Sequence, residues 1–271
     1  MSLKKFFRPL TLLSYADMAT LTSAFLGFLA ITYIIDGSEA SFIVAMILLP
    51  ICAIIDGMDG ALARRFGTKH DYGKYLDSIS DSICFGIAPS ILVYSLYYDI
   101  ERGPALDFIN DDLEFAFRYN IENLVAITAA IMIALLSILR LARFTRGTQG
   151  ENTYFSGLPA PGLTIFIIVI SIKYSIVNEA YIGIIWDNDV MLIPFIIGLV
   201  SLLTVTTISY AKARARFRNP ILFGILVLIL TIVLRYFENS MWETMWYPAF
   251  GLYMAYFALI PAMIWAGYFE E

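Results

Sequence analysis

Four aspartates in the first third of this 271-residue chain are the side chains best suited to chemistry. Asp56 and Asp59 are three residues apart and Asp77 and Asp81 are four apart, so each pair shares one face of a helix. The connection between the pairs contains Asp71 and is short. The two helices should therefore be antiparallel neighbours whose carboxylates face each other.

Facing carboxylates repel one another, and near hydrocarbon each costs about 2.5–3.5 kcal/mol at mid-membrane depth and less near the interface. Divalent cations offset this cost because hard cations prefer carboxylate oxygens. Four aspartates can hold two cations about 3.5–4 Å apart, an arrangement that suits phosphoryl chemistry. Ion pairing with Arg64 and Arg65 is the alternative, but it leaves the four aspartates with a net negative charge. We therefore expect a metal site.

Small residues accompany the aspartates. Gly60 follows Asp59, Ala63 lies one turn further on, and Gly73 begins the segment that carries the second pair. Small side chains beside carboxylates let a ligand approach the backbone. The alternative explanation for small residues in a membrane protein is close packing between helices. We expect ligand clearance at Gly60 and Gly73, and helix packing at Gly57.

The composition places these residues in a membrane protein. Apolar residues make up 59% of the chain and charged residues 15%, against roughly 45–50% and 25% in soluble domains. Such hydrophobicity excludes disorder, and a chain with 2 cysteines is not a disulfide scaffold. We expect Cys52 and Cys84, both in apolar runs, to be buried thiols.

We predict an all-α, polytopic membrane bundle of about eight transmembrane helices and an N-terminal interfacial helix. The predicted spans have about the 20-residue length needed to cross the hydrocarbon. They lie near 18–35, 41–60, 75–98, 121–143, 160–178, 190–210, 220–236 and 247–267. The predicted organisation is an interfacial helix at 1–17, a six-helix core at 18–215 and two additional helices at 216–271.

Basic residues predict the orientation of the bundle. Most of the 18 Lys and Arg occur in four clusters, near 4–8, 64–74, 140–146 and 212–218. The positive-inside rule then places both termini and the four aspartates on the cytoplasmic side. The opposite loops are acidic, including the one at 99–120, and we expect them to form a solvated outer surface.

The spacing of the site residues resembles the signature of the CDP-alcohol phosphatidyltransferases. The matching positions are Asp56, Asp59, Gly60, Ala63, Arg64, Gly73, Asp77 and Asp81. The resemblance implies that the first three aspartates bind two divalent cations, Mg²⁺ or Mn²⁺, and that Asp81 binds metal or accepts the proton of the attacking alcohol. It also implies that the small residues and Arg64 hold the CDP part of a CDP-lipid donor.

Three further segments resemble the phosphatidylserine synthase branch of that family, at 85–89, 140–144 and 155–161. This resemblance implies L-serine as the acceptor. We expect Arg140 and Arg143 to bind the serine carboxylate, because a guanidinium suits bidentate carboxylate binding. Membrane anchoring is the alternative for these arginines, and inositol phosphate or glycerol phosphate would also suit them as the acceptor.

The predicted function is therefore that of a membrane transferase that moves a phosphatidyl or archaetidyl group from a CDP-lipid to L-serine and releases CMP. Membrane lipids are expected partners, nucleic acid is not, and a homodimer would suit the family. A divalent-cation transporter is a distant alternative, because intramembrane carboxylates often mark ion paths. Against it, the outer halves of the spans carry almost no charge.

Other polar residues receive simpler interpretations. We expect Asp17 to be the N-cap of the first span and His70 to be a solvated loop residue. Thr20 and Ser23 could reach a nucleotide, but we expect their hydroxyls to pack helices.

Overall fold

The computed structural model describes residues 13–66, 73–98, 121–146, 154–177 and 189–211. These residues form α-helices with one π-helical segment, one 3₁₀ turn and a pair of short strands. The predictions for most of the interfacial helix, for His70 and for the last two spans lie outside the described residues.

The elements follow one another in this order. The first helices are α1 (Tyr15–Asp36), α2 (Glu39–Phe66) and α3 (Gly73–Asp81), then the π-helical segment (Ser82–Ile87) and α4 (Ala88–Tyr97). After these come α5 (Ile121–Arg146), β1 (Tyr154–Ser156), α6 (Ala160–Val177), α7 (Asp189–Leu202), a 3₁₀ turn (Leu203–Val205) and β2 (Ser209–Ala211).

Four stretches within the described residues are long and apolar enough to cross a membrane. They are Tyr15–Asp36, Ala40–Asp59, Gly73–Tyr97 and Asn123–Arg143, and shorter apolar helices occupy Ala160–Ser171 and Met191–Val205. Large side chains such as Phe25, Phe28 and Leu135 are exposed on the outer surface, where hydrocarbon suits them better than water. The prediction of a helical membrane bundle is confirmed for these residues, while eight spans stays a prediction.

The start of α1 is fixed by a reciprocal pair of hydrogen bonds. The Ser14 hydroxyl accepts from the Asp17 N–H at 3.2 Å, and the Asp17 carboxylate accepts from the Ser14 N–H at 2.7 Å, which is a capping box. The prediction that Asp17 is the N-cap is wrong, because Ser14 is the N-cap and Asp17 is the third helical residue. The first span therefore begins at Tyr15, inside the segment predicted as interfacial.

Apolar side chains from six helices, α7 with Ile197 among them, form the core. Buried examples are Ile34, Met46, Leu92, Ile133 and Phe166, from α1, α2, α4, α5 and α6. Helix α1 packs mainly against α2, and α5 packs against both α4 and α7. This packing leaves the end of α2 and the start of α3 together beside the first turns of α1.

The third span changes its winding directly after Asp81. Residues Ser82–Ile87 are π-helical, and the α-helix resumes at Ala88 with Pro89 in its first turn. A π-helical turn inserts an extra residue into the winding and is frequent at functional sites. The hydrophobic pattern predicted the span but not this turn.

The sixth span is shorter than predicted. Helix α7 ends at Leu202, whereas the span was predicted to continue to residue 210, and residues 209–211 pair antiparallel with 154–156 in a small ribbon that the all-α prediction did not include. The run 204–208 is rich in β-branched residues, which have low helix propensity. The N–H groups of Gly157 and Leu158 donate to the carbonyls of Ile208 and Leu203 at 2.8 and 2.9 Å. These carbonyls are therefore satisfied outside a helix.

Candidate active site

Three carboxylates from two helices converge at one end of the bundle. Asp56 and Asp59 lie in the last three turns of α2, and Asp77 lies in α3. One carboxylate oxygen from each residue lies within 4.8 Å of the corresponding oxygens of the other two. Helical spacing puts the first two on one face, and the return of the chain through α3 brings the third opposite them. The structure therefore brings together the three residues that were expected to bind metal.

The fourth aspartate adjoins this cluster through one of its members. Asp81 is the last residue of α3, and its carboxyl group adjoins the Asp56 carboxyl. Two adjoining ionised carboxylates repel unless a cation or a proton lies between them. Asp81 is not one of the three residues whose oxygens converge within 4.8 Å, so it lies at the edge of the cluster.

The donor set fits a hard divalent cation. Carboxylate oxygens are the ligands that Mg²⁺ and Mn²⁺ prefer, and three of them converge from side chains held on rigid helices. Asp59 is only 9% exposed, so its charge is largely removed from water, which is costly without a partner of opposite charge.

Helix α1 forms a third side of the site through Thr20. The Thr20 hydroxyl donates to Asp59 Oδ2 at 2.8 Å, and the Thr20 carbonyl accepts from the Ser80 hydroxyl at 2.9 Å. One residue of α1 thus contacts both α2 and α3. The prediction that Thr20 only packs helices missed the contact with Asp59, and Ser80 was not singled out at all. The sole signal in the sequence was that Thr20 is one of several hydroxyl residues in a mostly apolar span.

One turn deeper, Ser23 joins α1 to α2 and to the π-helical segment. Its hydroxyl donates to the Cys52 carbonyl at 3.3 Å, and its carbonyl accepts from the Cys84 thiol at 3.2 Å. This is the helix packing that was expected of Ser23. Cys52 and Cys84 are fully buried free thiols, which confirms the prediction for both.

The small residues of the motif lie along α2 and at the start of α3. A Cβ added to Gly73 would lie 3.3 Å from Asp17 Oδ1, so the first turns of α1 and α3 approach closely there. Ala63 is half-buried on α2. The surroundings of Gly60 and the side chain of Arg64 lie outside the described residues.

The two arginines that were expected to bind an acceptor carboxylate have different surroundings. Arg140 is 8% exposed, and its positive charge lies close to Asp81 and Asp56. Arg143 is exposed and donates from Nη1 to the Val205 carbonyl at 2.7 Å. Arg140 therefore adjoins the carboxylate cluster, whereas Arg143 contacts the turn that follows α7.

Comparison with known proteins agrees with the motif. Archaetidylserine synthase of Methanothermobacter thermautotrophicus is 35% identical over 61% of this chain and 62% of its own length. The CDP-diacylglycerol–serine O-phosphatidyltransferase of Methanocaldococcus jannaschii is 31% identical over 66% of this chain and 69% of its own length. The protein of the same name from Helicobacter pylori is 26% identical over 81% of both chains.

The family assignment rests on a match to the family as a whole rather than to one relative. The sequence model of the family described as CDP-alcohol phosphatidyltransferase matches residues 13–200. This range is more than half of the chain, and it contains all four aspartates and both of the arginines discussed above. The resemblance recognised in the sequence is thereby confirmed, and the chain belongs to the CDP-alcohol phosphatidyltransferase family.

Proposed function

We propose that this chain is an integral-membrane enzyme that transfers a phosphatidyl or archaetidyl group from a CDP-lipid to the hydroxyl of L-serine and releases CMP. The observation that carries the proposal is the convergence of Asp56, Asp59 and Asp77 within 4.8 Å in a chain of this family. L-serine as the acceptor is supported by the names of the relatives, all three of which specify serine.

The metal-binding role falls to the four aspartates. Asp56, Asp59 and Asp77, with Asp81 at their edge, would hold two divalent cations, Mg²⁺ or Mn²⁺. Bound cations supply electrostatic stabilisation to the phosphorus under attack and to the departing CMP. The rigid helices that carry the carboxylates keep their oxygens converged before substrate arrives, which limits reorganisation during the reaction.

The donor occupies the face of α2 and α3 beside the aspartates. Gly60, Ala63 and Gly73 leave room for the cytidine, and Arg64 binds the phosphates of the CDP part. The lipid tails stay in the bilayer between helices, because they lose no favourable environment when they pack against apolar helices instead of other lipid tails.

The acceptor is activated by Asp81. As the serine hydroxyl oxygen forms its bond to phosphorus, the bond from phosphorus to CMP breaks and Asp81 takes the hydroxyl proton. The position of Asp81 at the edge of the cluster supports this role, since its carboxyl is not one of the three that converge. Arg140 binds the serine carboxylate, with Arg143 one turn away as a second contact. The buried guanidinium of Arg140 near Asp81 supports that assignment.

We also propose that the site opens to the cytoplasm, with both termini on that side and a six-helix core at 18–215 followed by two further spans. The four basic clusters of the sequence support this orientation. CMP then leaves directly to the cytoplasm, and L-serine arrives from it.

The experiment that tests the proposal is CMP release by the detergent-purified full chain. CDP-diacylglycerol and CDP-archaeol serve as donors, with Mn²⁺ or Mg²⁺, and the acceptors are L-serine, myo-inositol 1-phosphate and glycerol 3-phosphate. We expect release with L-serine and a serine lipid by mass spectrometry. Release with a phosphorylated alcohol instead would keep the family chemistry and contradict the acceptor. Metal flux into liposomes without CMP release under any condition would favour the transporter.

A further inference from the structure

We propose that Thr20 is a positioning residue that orients the Asp59 carboxylate for metal binding. Thr20 lies on α1, which carries none of the four aspartates, and it is not one of the eight spaced positions named in the sequence analysis. The inference rests on the metal-binding part of the proposed function and not on the identity of the acceptor.

The Thr20 hydroxyl has one hydrogen and two acceptors within reach. Asp59 Oδ2 is 2.8 Å away, and the Ala16 carbonyl oxygen is 3.1 Å away. A hydrogen bond to a carboxylate is shorter and roughly twice as strong as one between neutral groups. The hydrogen therefore goes to Asp59, and the carbonyl of the preceding turn is the weaker alternative.

This hydrogen bond does not compete with metal binding. A carboxylate has two oxygens and about four lone-pair positions, so Asp59 can accept from Thr20 and still ligate a cation. Hydrogen bonds of this kind hold a ligating carboxylate in one orientation. Thr20 and Asp59 are only 5% and 9% exposed, so bulk water is poorly placed to replace the hydroxyl.

Thr20 is itself held against both helices that carry the aspartates. Its carbonyl accepts from Ser80, which lies between Asp77 and Asp81 on α3. Ser23 repeats the arrangement one turn deeper, with hydrogen bonds to α2 and to the π-helical segment. Because α1 is tied to α3 at the same residue that donates to Asp59, the Thr20 contact fixes Asp59 relative to Asp77. A cation that is bound by both Asp59 and Asp77 requires the two carboxylates to keep this relative position.

The test is Mn²⁺ binding to the purified full chain without donor or acceptor, measured from the electron paramagnetic resonance signal of free Mn²⁺. Thr20→Val keeps the branched shape and removes the hydroxyl, whereas Thr20→Ser keeps the hydroxyl. Thr22→Val is the matched control, because the exposed Thr22 hydroxyl donates within α1 to the Met18 carbonyl. Melting temperatures in chelator report whether each variant folds.

We expect Thr20→Val to weaken Mn²⁺ binding by about 10- to 100-fold, with Thr20→Ser and Thr22→Val close to the wild type. If Thr20→Val has a lower melting temperature than the control, the inference stands only if Thr20→Ala shows the same loss of Mn²⁺ affinity. Equal Mn²⁺ affinity in Thr20→Val and Thr22→Val, or equal losses in Thr20→Val and Thr20→Ser, would overturn it.

The metal readout separates this inference from the proposed function. If Thr20→Val loses Mn²⁺ affinity but the wild type transfers nothing to L-serine, the acceptor assignment fails and the positioning role stands. If L-serine transfer is found and Thr20→Val binds Mn²⁺ normally, the positioning role fails alone. A wild-type protein that binds neither Mn²⁺ nor Mg²⁺ contradicts both.

Discussion

Gly27 on α1 lies so close to Cys84 that a Cβ built on the glycine would be 2.6 Å from Cys84 Sγ and 3.3 Å from Cys84 Cα. Cys84 belongs to the π-helical segment that begins directly after Asp81. The missing side chain at Gly27 thus allows α1 to approach the span that carries Asp77 and Asp81. This close approach lies about two helical turns beyond the Thr20 contact with Asp59.

Gly27→Ala should destabilise the protein. Overpacking of a tight contact costs about 1–3 kcal/mol, which outweighs the gain of about 0.5–1 kcal/mol in helix propensity. Gly57→Ala is the control, because a Cβ there would meet nothing within 4 Å, contrary to the helix packing expected at Gly57. Thermal unfolding in detergent with chelator should show a lower Tm for Gly27→Ala and an equal or higher Tm for Gly57→Ala. Equal changes in both variants would contradict the packing described at Cys84.

Gly157→Ala should also destabilise the protein, for a different reason. Gly157 has a φ of 83°, and a Cβ there would overlap the Thr204 carbonyl. The left-handed conformation alone costs a residue with a Cβ about 1–2 kcal/mol. Gly162→Ala is the matched control, since the added Cβ would make ordinary contacts starting at 3.8 Å. If both variants have the same Tm, the left-handed turn does not hold the ribbon to the end of α7.

Asp81→Asn should lower kcat without preventing Mn²⁺ binding. Loss of a positioned general base costs about 10²–10⁴-fold in rate, while the three converging carboxylates still bind the cation. Serine-dependent CMP release and Mn²⁺ binding are to be measured on the same preparation. Near wild-type kcat with Mn²⁺ bound would show that another group takes the proton.

Arg140→Lys should raise the KM for L-serine more than Arg143→Lys does. Hydrogen bonds to charged groups contribute about 1.5–3 kcal/mol, so loss of a bidentate contact raises KM about tenfold or more. Arg143 already donates to the Val205 carbonyl, so we expect its substitution to change KM less and to lower the Tm. A larger rise in KM for Arg143→Lys than for Arg140→Lys would indicate that Arg143, and not Arg140, is the main contact of the serine carboxylate.

The parts of the fold that depend on local spacing could be predicted from the sequence. The predicted spans match the bounds of α1, of the third span, of α5 and of α6 within three residues, because hydrophobic length is a local property. Helix α2 continues to Phe66, six residues beyond its predicted end. The pairing of Asp56 with Asp59 follows from helical geometry in the same way.

The parts that depend on long-range contacts could not be predicted. The hydrogen bond from Thr20 to Asp59 joins residues 39 positions apart, and no local pattern distinguishes it from helix packing. The chain that follows α7 is held partly by Gly157 and Leu158, which donate from a distant segment to the carbonyls of Ile208 and Leu203. The hydropathy of the sequence predicted that the sixth span continues to residue 210, because the β-branched run after Leu203 does not interrupt the apolar pattern.

The measurement that tests the central claim most directly is the metal dependence of serine-driven CMP release in wild type, Asp59→Asn and Asp36→Asn. Asp36 is the control carboxylate, exposed at the far end of α1 and hydrogen-bonded to Ser38 and Ser41. We predict that chelator abolishes release in wild type, that Mn²⁺ or Mg²⁺ restores it, and that Asp59→Asn loses it while Asp36→Asn keeps it. Release that persists in chelator, or that survives in Asp59→Asn as in Asp36→Asn, would contradict a metal-dependent transferase built on this aspartate cluster.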